Sequence, residues 1–181
     1  DCGISTGGFT DCLLKKGASK IYGIDVGYGQ TAWNLRTDKR VVLKERTNIR
    51  NLTREILYEH NDQWADFFVA DLSFISLRIV LPVITSLLSK KDKEGLVLIK
   101  PQFEVGRERV GKGGVVRDPY AHIDALNSVI NASISLGWKA KGLIPSPLTG
   151  PAGNHEYLLW LGIGEVNNFP DLTNLVFKTL N

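Results

Sequence analysis

Short apolar runs rich in β-branched residues alternate along this chain with segments of helical periodicity, and this alternation constrains the fold more than any other feature. Parallel strands buried on both faces are short and apolar, and each is joined to the next by a helix that covers one face of the sheet. We therefore predict an α/β fold with a mostly parallel sheet and helices on both faces. The expected strands are 21–26, 41–44, 66–70, 96–99, 138–144 and 157–162, and the expected helices are 8–16, 31–36, 52–58, 77–89 and 119–135.

The size and composition of the chain fit one α/β domain. Its 181 residues are 43% hydrophobic and 23% charged, and a domain of this size buries roughly 70% of the surface of its unfolded chain without disulfides or metals. Cys2 and Cys12 have no further cysteine to pair with, so we expect reduced thiols in a cytoplasmic protein. No cluster of cysteines and histidines has metal-ligand spacing, and we predict no metal site.

The longest apolar stretch, 77–88, contains Arg78 and Pro82 and is shorter than the roughly 18 apolar residues of a membrane span. We therefore expect no membrane association. A net charge of +3 permits a polyanionic partner without demonstrating one.

A glycine-rich turn opens the chain and precedes the first expected helix. Gly3, Gly7 and Gly8 can adopt positive φ and let a ligand approach the backbone, while the N–H groups of the following helix point toward that ligand. Asp25 ends the next expected strand about 20 residues later, where a carboxylate can accept hydrogen bonds from a ribose diol. This spacing predicts an adenosine-containing cofactor at the carboxyl edge of the sheet.

Ser5 stands where the dinucleotide fingerprint G-x-G-x-x-G has its second glycine. This difference disfavours a nicotinamide-dependent dehydrogenase and favours a cofactor without a pyrophosphate, such as S-adenosylmethionine. The alternative interpretation is a turn that binds no ligand, with Asp25 as a helix cap.

Three ionisable residues lie at or beside expected strand ends, where ligands of open α/β sheets bind. Asp71 follows one strand, Lys100 follows another, and Glu156 precedes a third. A partly desolvated lysine can act as a base, so the three together predict a catalytic group. Each residue also has a structural interpretation: Asp71 as a helix cap, Lys100 in an ion pair with Glu104 or Asp71, and Glu156 as an exposed strand residue.

The turn and these residues belong to a longer series of motifs that resembles the TlyA branch of the FtsJ-like RNA methyltransferases, proteins often labelled hemolysins. The resemblance extends over nearly the whole chain. The matching segments are 1–11, 45–48, 71–77, 100–104, 114–118, 146–150 and 153–157.

The resemblance implies a Rossmann-like class I S-adenosylmethionine-dependent methyltransferase with a seven-stranded sheet, covering residues 1–164 and followed by a C-terminal tail or helix at 165–181. It implies that Asp25 binds the cofactor ribose and that Thr47 and Asn48 lie near the adenine. The full set of cofactor-binding residues implied in this way is Asp1, Gly3, Ser5, Thr6, Gly7, Gly8, Phe9, Asp25, Thr47, Asn48 and Asp71.

The implied activity is 2′-O-methylation of ribosomal RNA, at the ribose of a cytidine. The family uses a Lys-Asp-Lys-Glu tetrad, and Asp71, Lys100 and Glu156 match its second, third and fourth members. The first lysine lies upstream of the glycine-rich turn in the family, as does a small S4-type RNA-binding domain, and neither has a counterpart here. The resemblance therefore implies that the chain is a fragment.

RNA is expected to enter over the glycine-rich loop 104–117, where Arg107, Arg109, Lys112 and Arg117 could contact phosphates. A solvated loop without a ligand is the alternative. Two other functions remain open for the whole chain. One is a membrane-lytic protein, as the hemolysin label suggests, and the other is a non-catalytic RNA-binding assembly factor with a methyltransferase fold.

Overall fold

The computed structural model describes residues 1–91, 93–166 and 168–181. Six strands and seven helices occur in these ranges. The strands are β1 (Ile21–Ile24), β2 (Val41–Lys44), β3 (Phe67–Ala70), β4 (Glu94–Ile99), β5 (Lys139–Pro145) and β6 (Tyr157–Gly162). The helices are α1 (Gly8–Lys15), α2 (Trp33–Arg36), α3 (Arg54–Leu57), α4 (Leu77–Leu87), α5 (Pro101–Glu104), α6 (Pro119–Ser135) and α7 (Leu172–Leu180).

The strands form a mostly parallel sheet, as predicted. β1 pairs in parallel with β2, and β3 pairs in parallel with β4. β6 pairs in antiparallel orientation with both β4 and β5, so β6 alone among the described strands runs against the others.

Cys2 joins the two halves of the sheet, because it forms parallel bridges to both Ile24 and Ala70. The spatial order is therefore β2, β1, Cys2, β3, β4, β6, β5. The resemblance implied seven strands, and the described residues contain six. At the position between β1 and β3, Cys2 forms isolated bridges rather than a strand.

The core is continuous across the sheet and the helices on it. Val97, Ile99, Leu159 and Leu161 are fully buried on the central strands, and α4 contributes an apolar face that includes Val80, Leu81 and Ile84. Burial of each such aliphatic side chain stabilises the fold by about 1.5–3 kcal/mol relative to its exposure.

The helices differ from the sequence expectation where local caps and turns intervene. α2 begins at Trp33 rather than at residue 31, because Ala32 is extended (φ −54°, ψ 141°). The short helix α5 was not expected, and it starts at Pro101, whose fixed φ suits the first helical position. In the C-terminal segment, α7 packs on α6 and β5, and its Val176 is fully buried.

The glycine-rich segment 104–117 is largely exposed but locally ordered. It contains two short 3-10 turns, Arg107–Arg109 and Lys112–Gly114. Asn154 holds the second turn, since its side chain accepts from Val116 N (3.0 Å) and donates to Gly114 O (2.9 Å). None of the helices in the described ranges is long and apolar enough to cross a membrane.

Candidate active site

A cleft of about 990 Å³ lies beyond the carboxyl ends of the parallel strands. The order of the strands changes direction at Cys2. From Cys2, β1 and β2 extend toward one side of the sheet, and β3 and β4 extend toward the other. Ligands of open α/β sheets bind at such a switch point. The cleft is lined on one side by Gly3, Ser5 and Asp25 and on the other by Asp71, Ser73 and Gln102.

Gly3 allows the first turn to approach the end of β3 closely. Its φ is +84°, and a Cβ at this position would overlap the carbonyl oxygen of Asp71. Any other residue would therefore be strained and would push apart the two segments that form the floor of the cleft.

Asp25 fixes the same turn from the other side. Its carboxylate accepts from Ser5 N (2.8 Å) and from Gly27 N (2.7 Å), and this explains how Ser5 is held at φ +47°. Each carboxylate oxygen retains further acceptor capacity, so Asp25 can still accept hydrogen bonds from a diol in the cleft.

Thr47 and Asn48 line the cleft beside Asp25, and their place near an adenine stays a prediction. Thr47 N donates to Asp25 O (2.8 Å), and the Asn48 side chain caps the following 3-10 turn by accepting from Arg50 N (3.1 Å). Arg50 also lines the cleft.

The other predicted cofactor residues lie in the same turn but not among the residues that line the cleft: Asp1, Thr6, Gly7, Gly8 and Phe9. Asp1 accepts from Thr10 Oγ1 (2.7 Å), and Gly7 is the N-cap of α1 with φ 103°. Their role in cofactor binding stays a prediction.

Lys100 and Glu156 are not among the residues that line the cleft, but Lys100 contacts Asp71 and Ser73, which do line it. Its Nζ lies 2.6 Å from Asp71 Oδ1 and donates to Ser73 Oγ at 3.1 Å. The contact with Asp71 is an ion pair without the geometry of an aligned hydrogen bond. The Lys100 side chain is only 12% exposed, so its amine is directed by these two neighbours.

Glu156 reaches the same place because β6 is reversed. In the register of the sheet Ile99 pairs with Tyr157, so Lys100, which follows β4, and Glu156, which precedes β6, emerge side by side. Glu156 is buried and accepts from Gln102 Nε2 at 3.3 Å. Burial raises the pKa of Glu156, and the neighbouring Asp71 raises it further, whereas Lys100 and Gln102 lower it.

An aromatic pair with one exposed and one partly buried ring lines the cleft and was not identified from the sequence. Phe74 is 91% exposed and has φ 64°, and its ring centroid is 5.2 Å from that of Phe103. A non-glycine residue in the left-handed region costs about 1–3 kcal/mol and is frequent at functional sites. The sequence feature that could have identified these residues is their closeness to the predicted catalytic residues. Ser73 and Phe74 follow Asp71 within three residues, and Gln102 and Phe103 follow Lys100 within three residues.

Glu104 ties the two loops of this site together. Its buried carboxylate accepts from Ser76 Oγ (2.6 Å) and from Leu77 N (2.7 Å) at the start of α4. The loop after β3 is thereby fixed to the segment after β4. Burial raises the pKa of Glu104 above its ordinary value. Glu104 therefore contacts the start of α4, and Lys100 pairs with Asp71 rather than with Glu104.

The four predicted RNA-contacting residues fall into different environments. Arg107 is exposed and lines the cleft. Arg109 is engaged by Asp124 (2.6 Å) and Asp118 (3.0 Å), so its charge is neutralised within the protein. Lys112 and Arg117 are exposed on the second 3-10 turn and after it.

The model of the FtsJ-like methyltransferases matches residues 1–163. The chain belongs to this family. TlyA of Mycobacterium tuberculosis (strain H37Rv), a 16S/23S rRNA (cytidine-2′-O)-methyltransferase, is 51% identical over 161 residues. Hemolysin A of Brachyspira hyodysenteriae is 44% identical over 158 residues, covering 87% of this chain and 64% of the relative.

Solved structures agree with this membership. A crystal structure from Lactococcus lactis that has the name hemolysin matches with a TM-score of 0.89 and 41% identity, over 98% of this chain and 85% of that one. An S-adenosylmethionine-dependent methyltransferase from Methanosarcina mazei shares the fold, with a TM-score of 0.61 and 15% identity over 90% of each chain. The fold is that of the Rossmann-like methyltransferases.

The match to TlyA covers 89% of this chain but only 58% of the length of TlyA. Within the described ranges, no group of three or more His, Cys, Asp or Glu residues is placed to hold a metal ion.

Proposed function

We propose that this chain is the catalytic domain of an S-adenosylmethionine-dependent methyltransferase that modifies a ribose 2′-hydroxyl of ribosomal RNA, at a cytidine. The observation on which the proposal depends is the convergence of Lys100, Asp71 and Glu156 at the edge of the cleft that the glycine-rich turn and Asp25 complete. The name and 51% identity of TlyA support the choice of substrate.

The cleft fits S-adenosylmethionine by its donor and acceptor groups. Asp25 presents a carboxylate for the ribose diol, and Thr47 and Asn48 border the space beyond it. Gly3 places no side chain at the floor of the cleft, where it approaches Asp71 closely. A volume of about 990 Å³ lies at the upper end of the range for ligand sites. When bound, this cofactor supplies an electrophilic methyl group.

A 2′-hydroxyl is a weak nucleophile, so the residues of the chain must remove its proton and hold it in line. Lys100, which lies 2.6 Å from Asp71 Oδ1, is the base in this proposal, and it acts in its deprotonated form. The neutral amine then accepts the proton of the 2′-hydroxyl. Asp71 and Ser73 direct the amine, and Glu156 balances its charge. Orientation contributes much of the rate.

RNA recognition is assigned to the rim of the cleft. Phe74 offers an exposed ring, next to that of the partly buried Phe103, on which an unstacked base can lie, as in single-stranded RNA recognition. Arg50 and Arg107 line the cleft near these rings and are exposed, so they are free to contact phosphates.

The first test is a calorimetric titration of S-adenosylmethionine, with NAD as the competing ligand class. We expect saturable binding of S-adenosylmethionine alone. Asp25→Ala should weaken it about 10- to 150-fold, as expected for hydrogen bonds to a charged group. Asp66→Ala is the matched control, because Asp66 is exposed at the opposite, amino end of β3.

The second test follows transfer of a tritiated methyl group to ribosomal subunits and identifies the product nucleoside. A 2′-O-methylcytidine product that is lost in Lys100→Ala would support the proposal. Binding of NAD in place of S-adenosylmethionine, or methyl transfer that survives Lys100→Ala, would refute it.

A further inference from the structure

Gln102 lines the cleft and contacts the buried carboxylate of Glu156. It lies on the short helix α5, two residues after Lys100, and its Nε2 is 3.3 Å from Glu156 Oε1. Its Oε1 is buried and has no hydrogen-bond donor among the residues that the structure describes. The amide therefore makes its side-chain hydrogen bond to Glu156.

Glu156 depends on that contact because its other neighbours do not hold it directly. Lys100 and Asp71 act on it by charge, but neither forms an ion pair or hydrogen bond with its carboxylate within the described part of the chain. Gly150 packs closely against Oε1. Gln102 is therefore the donor that sets the direction of a buried carboxylate.

We propose that Gln102 is a positioning residue, whose amide N–H group holds the Glu156 carboxylate facing Lys100. The role rests on the proposed function, because Glu156 is assigned there to the catalytic group. An amide suits this position because it donates without adding charge. A cation at residue 102 would compete with Lys100 for Glu156, and an anion would repel both Glu156 and Asp71.

The charges that face Glu156 make its titration a direct readout of the contact. Burial and Asp71 raise the pKa of Glu156, while Lys100 and Gln102 oppose them. Loss of the amide donor removes one of the two opposing influences. Gln102→Leu, which has similar bulk and no donor, should therefore move the titration of Glu156 upward.

The experiment combines carboxyl-carbon NMR with kinetics. The Glu156 resonance is assigned by its disappearance in Glu156→Gln and is followed through a pH titration in the wild type and in Gln102→Leu. In RNA methylation, Gln102→Leu should lower kcat by roughly 10- to 100-fold and change the KM for RNA and the Kd for S-adenosylmethionine by less than about threefold. Gln63→Leu, at an exposed glutamine before β3, is the matched control.

Gln102→Glu gives a second signature that general damage to the fold would not produce. The introduced carboxyl group can donate to Glu156 only when it is protonated. The activity of this variant relative to the wild type should therefore rise as the pH falls, whereas Gln63→Glu should show a constant ratio.

An unchanged Glu156 titration together with unchanged kcat in Gln102→Leu would overturn the proposal. So would a kcat loss that tracks a loss of folded protein, measured by thermal melting. Failure of the proposed function looks different. In that case the wild type transfers no methyl group to RNA, while the upward shift of Glu156 in Gln102→Leu still demonstrates the contact.

Discussion

Gly150 should be intolerant of even one added methyl group, for a reason that concerns Glu156 alone. Its φ is not in the left-handed region, so alanine suits the backbone, but an added Cβ would lie 2.7 Å from Glu156 Oε1. The turn has little freedom to retreat. Gly150 N donates to Asn154 O, and Gly153 N donates to Gly150 O, both at 2.8 Å.

The size of the effect follows from these distances. Ordinary carbon–oxygen contacts begin near 3.4 Å, so the carboxylate must move by about 0.7 Å in Gly150→Ala. Its hydrogen bond to Gln102 is already 3.3 Å long, and this displacement breaks it. Misplacement of a catalytic group by about 1 Å can cost roughly 100-fold in rate. We therefore expect kcat to fall by about 10- to 100-fold while binding of S-adenosylmethionine is unchanged.

Single-turnover methyl transfer to ribosomal RNA measures this loss. Gly142→Ala on β5 is the control, since its added Cβ would make an ordinary 3.6 Å contact with the Trp160 ring. If Gly150→Ala acts through Glu156, adding it to Glu156→Gln should cause little further loss. A double variant whose loss equals the product of the two single losses would refute the reasoning, as would a Gly150→Ala protein with wild-type kcat.

Three further predictions concern other parts of the molecule. Burial lowers the pKa of His122, so the unfolded chain binds more protons than the folded protein below pH 6.5, and the free energy of unfolding should fall as the pH drops through this range. Urea unfolding at pH 7.5 and 5.5 should show a smaller pH dependence in His122→Gln, and an equal one would contradict this. Arg107→Ala should weaken RNA binding about five- to tenfold at low salt. Arg109→Ala should change RNA binding less than twofold, because Arg109 is paired within the protein. A larger loss in Arg109→Ala than in Arg107→Ala, measured by filter binding, would exclude RNA contact by Arg107. Phe74→Ala should weaken RNA binding by roughly 5- to 100-fold, which is the cost of one lost base-stacking contact. The affinity for S-adenosylmethionine should be unchanged. Equal losses of RNA binding and S-adenosylmethionine binding would place Phe74 in the cofactor site instead.

Much of the fold was predictable because its determinants are local. β2 and β6 have the predicted bounds, and α6 runs over Pro119–Ser135 as expected, with Asp118 accepting from Tyr120 N as its cap. Periodicity and capping residues contain this information. The seventh strand was not confirmed among the described residues, in which Cys2 lies between β1 and β3 in space and forms only isolated bridges to Ile24 and Ala70.

The behaviour of the 104–117 segment was not predictable from its composition. Glycines and charges indicate an adaptable basic loop, yet Asn154 contacts Gly114 and Val116 from about 40 residues away. Arg109 is likewise neutralised by Asp118 and Asp124 on and beside α6. Such long-range contacts depend on topology, which a local pattern does not contain.

The candidate site shows how topology turns separate strand ends into one chemical group. Asp71 and Lys100 follow adjacent parallel strands, so a parallel sheet alone brings them together. Glu156 precedes its strand, and in a wholly parallel sheet it would lie at the opposite, amino edge. The reversal of β6 and the pairing of Ile99 with Tyr157 move it to the carboxyl edge beside Lys100. A parallel β6 would therefore separate the acid from the base by the length of a six-residue strand, about 20 Å, and the three-residue group could not form.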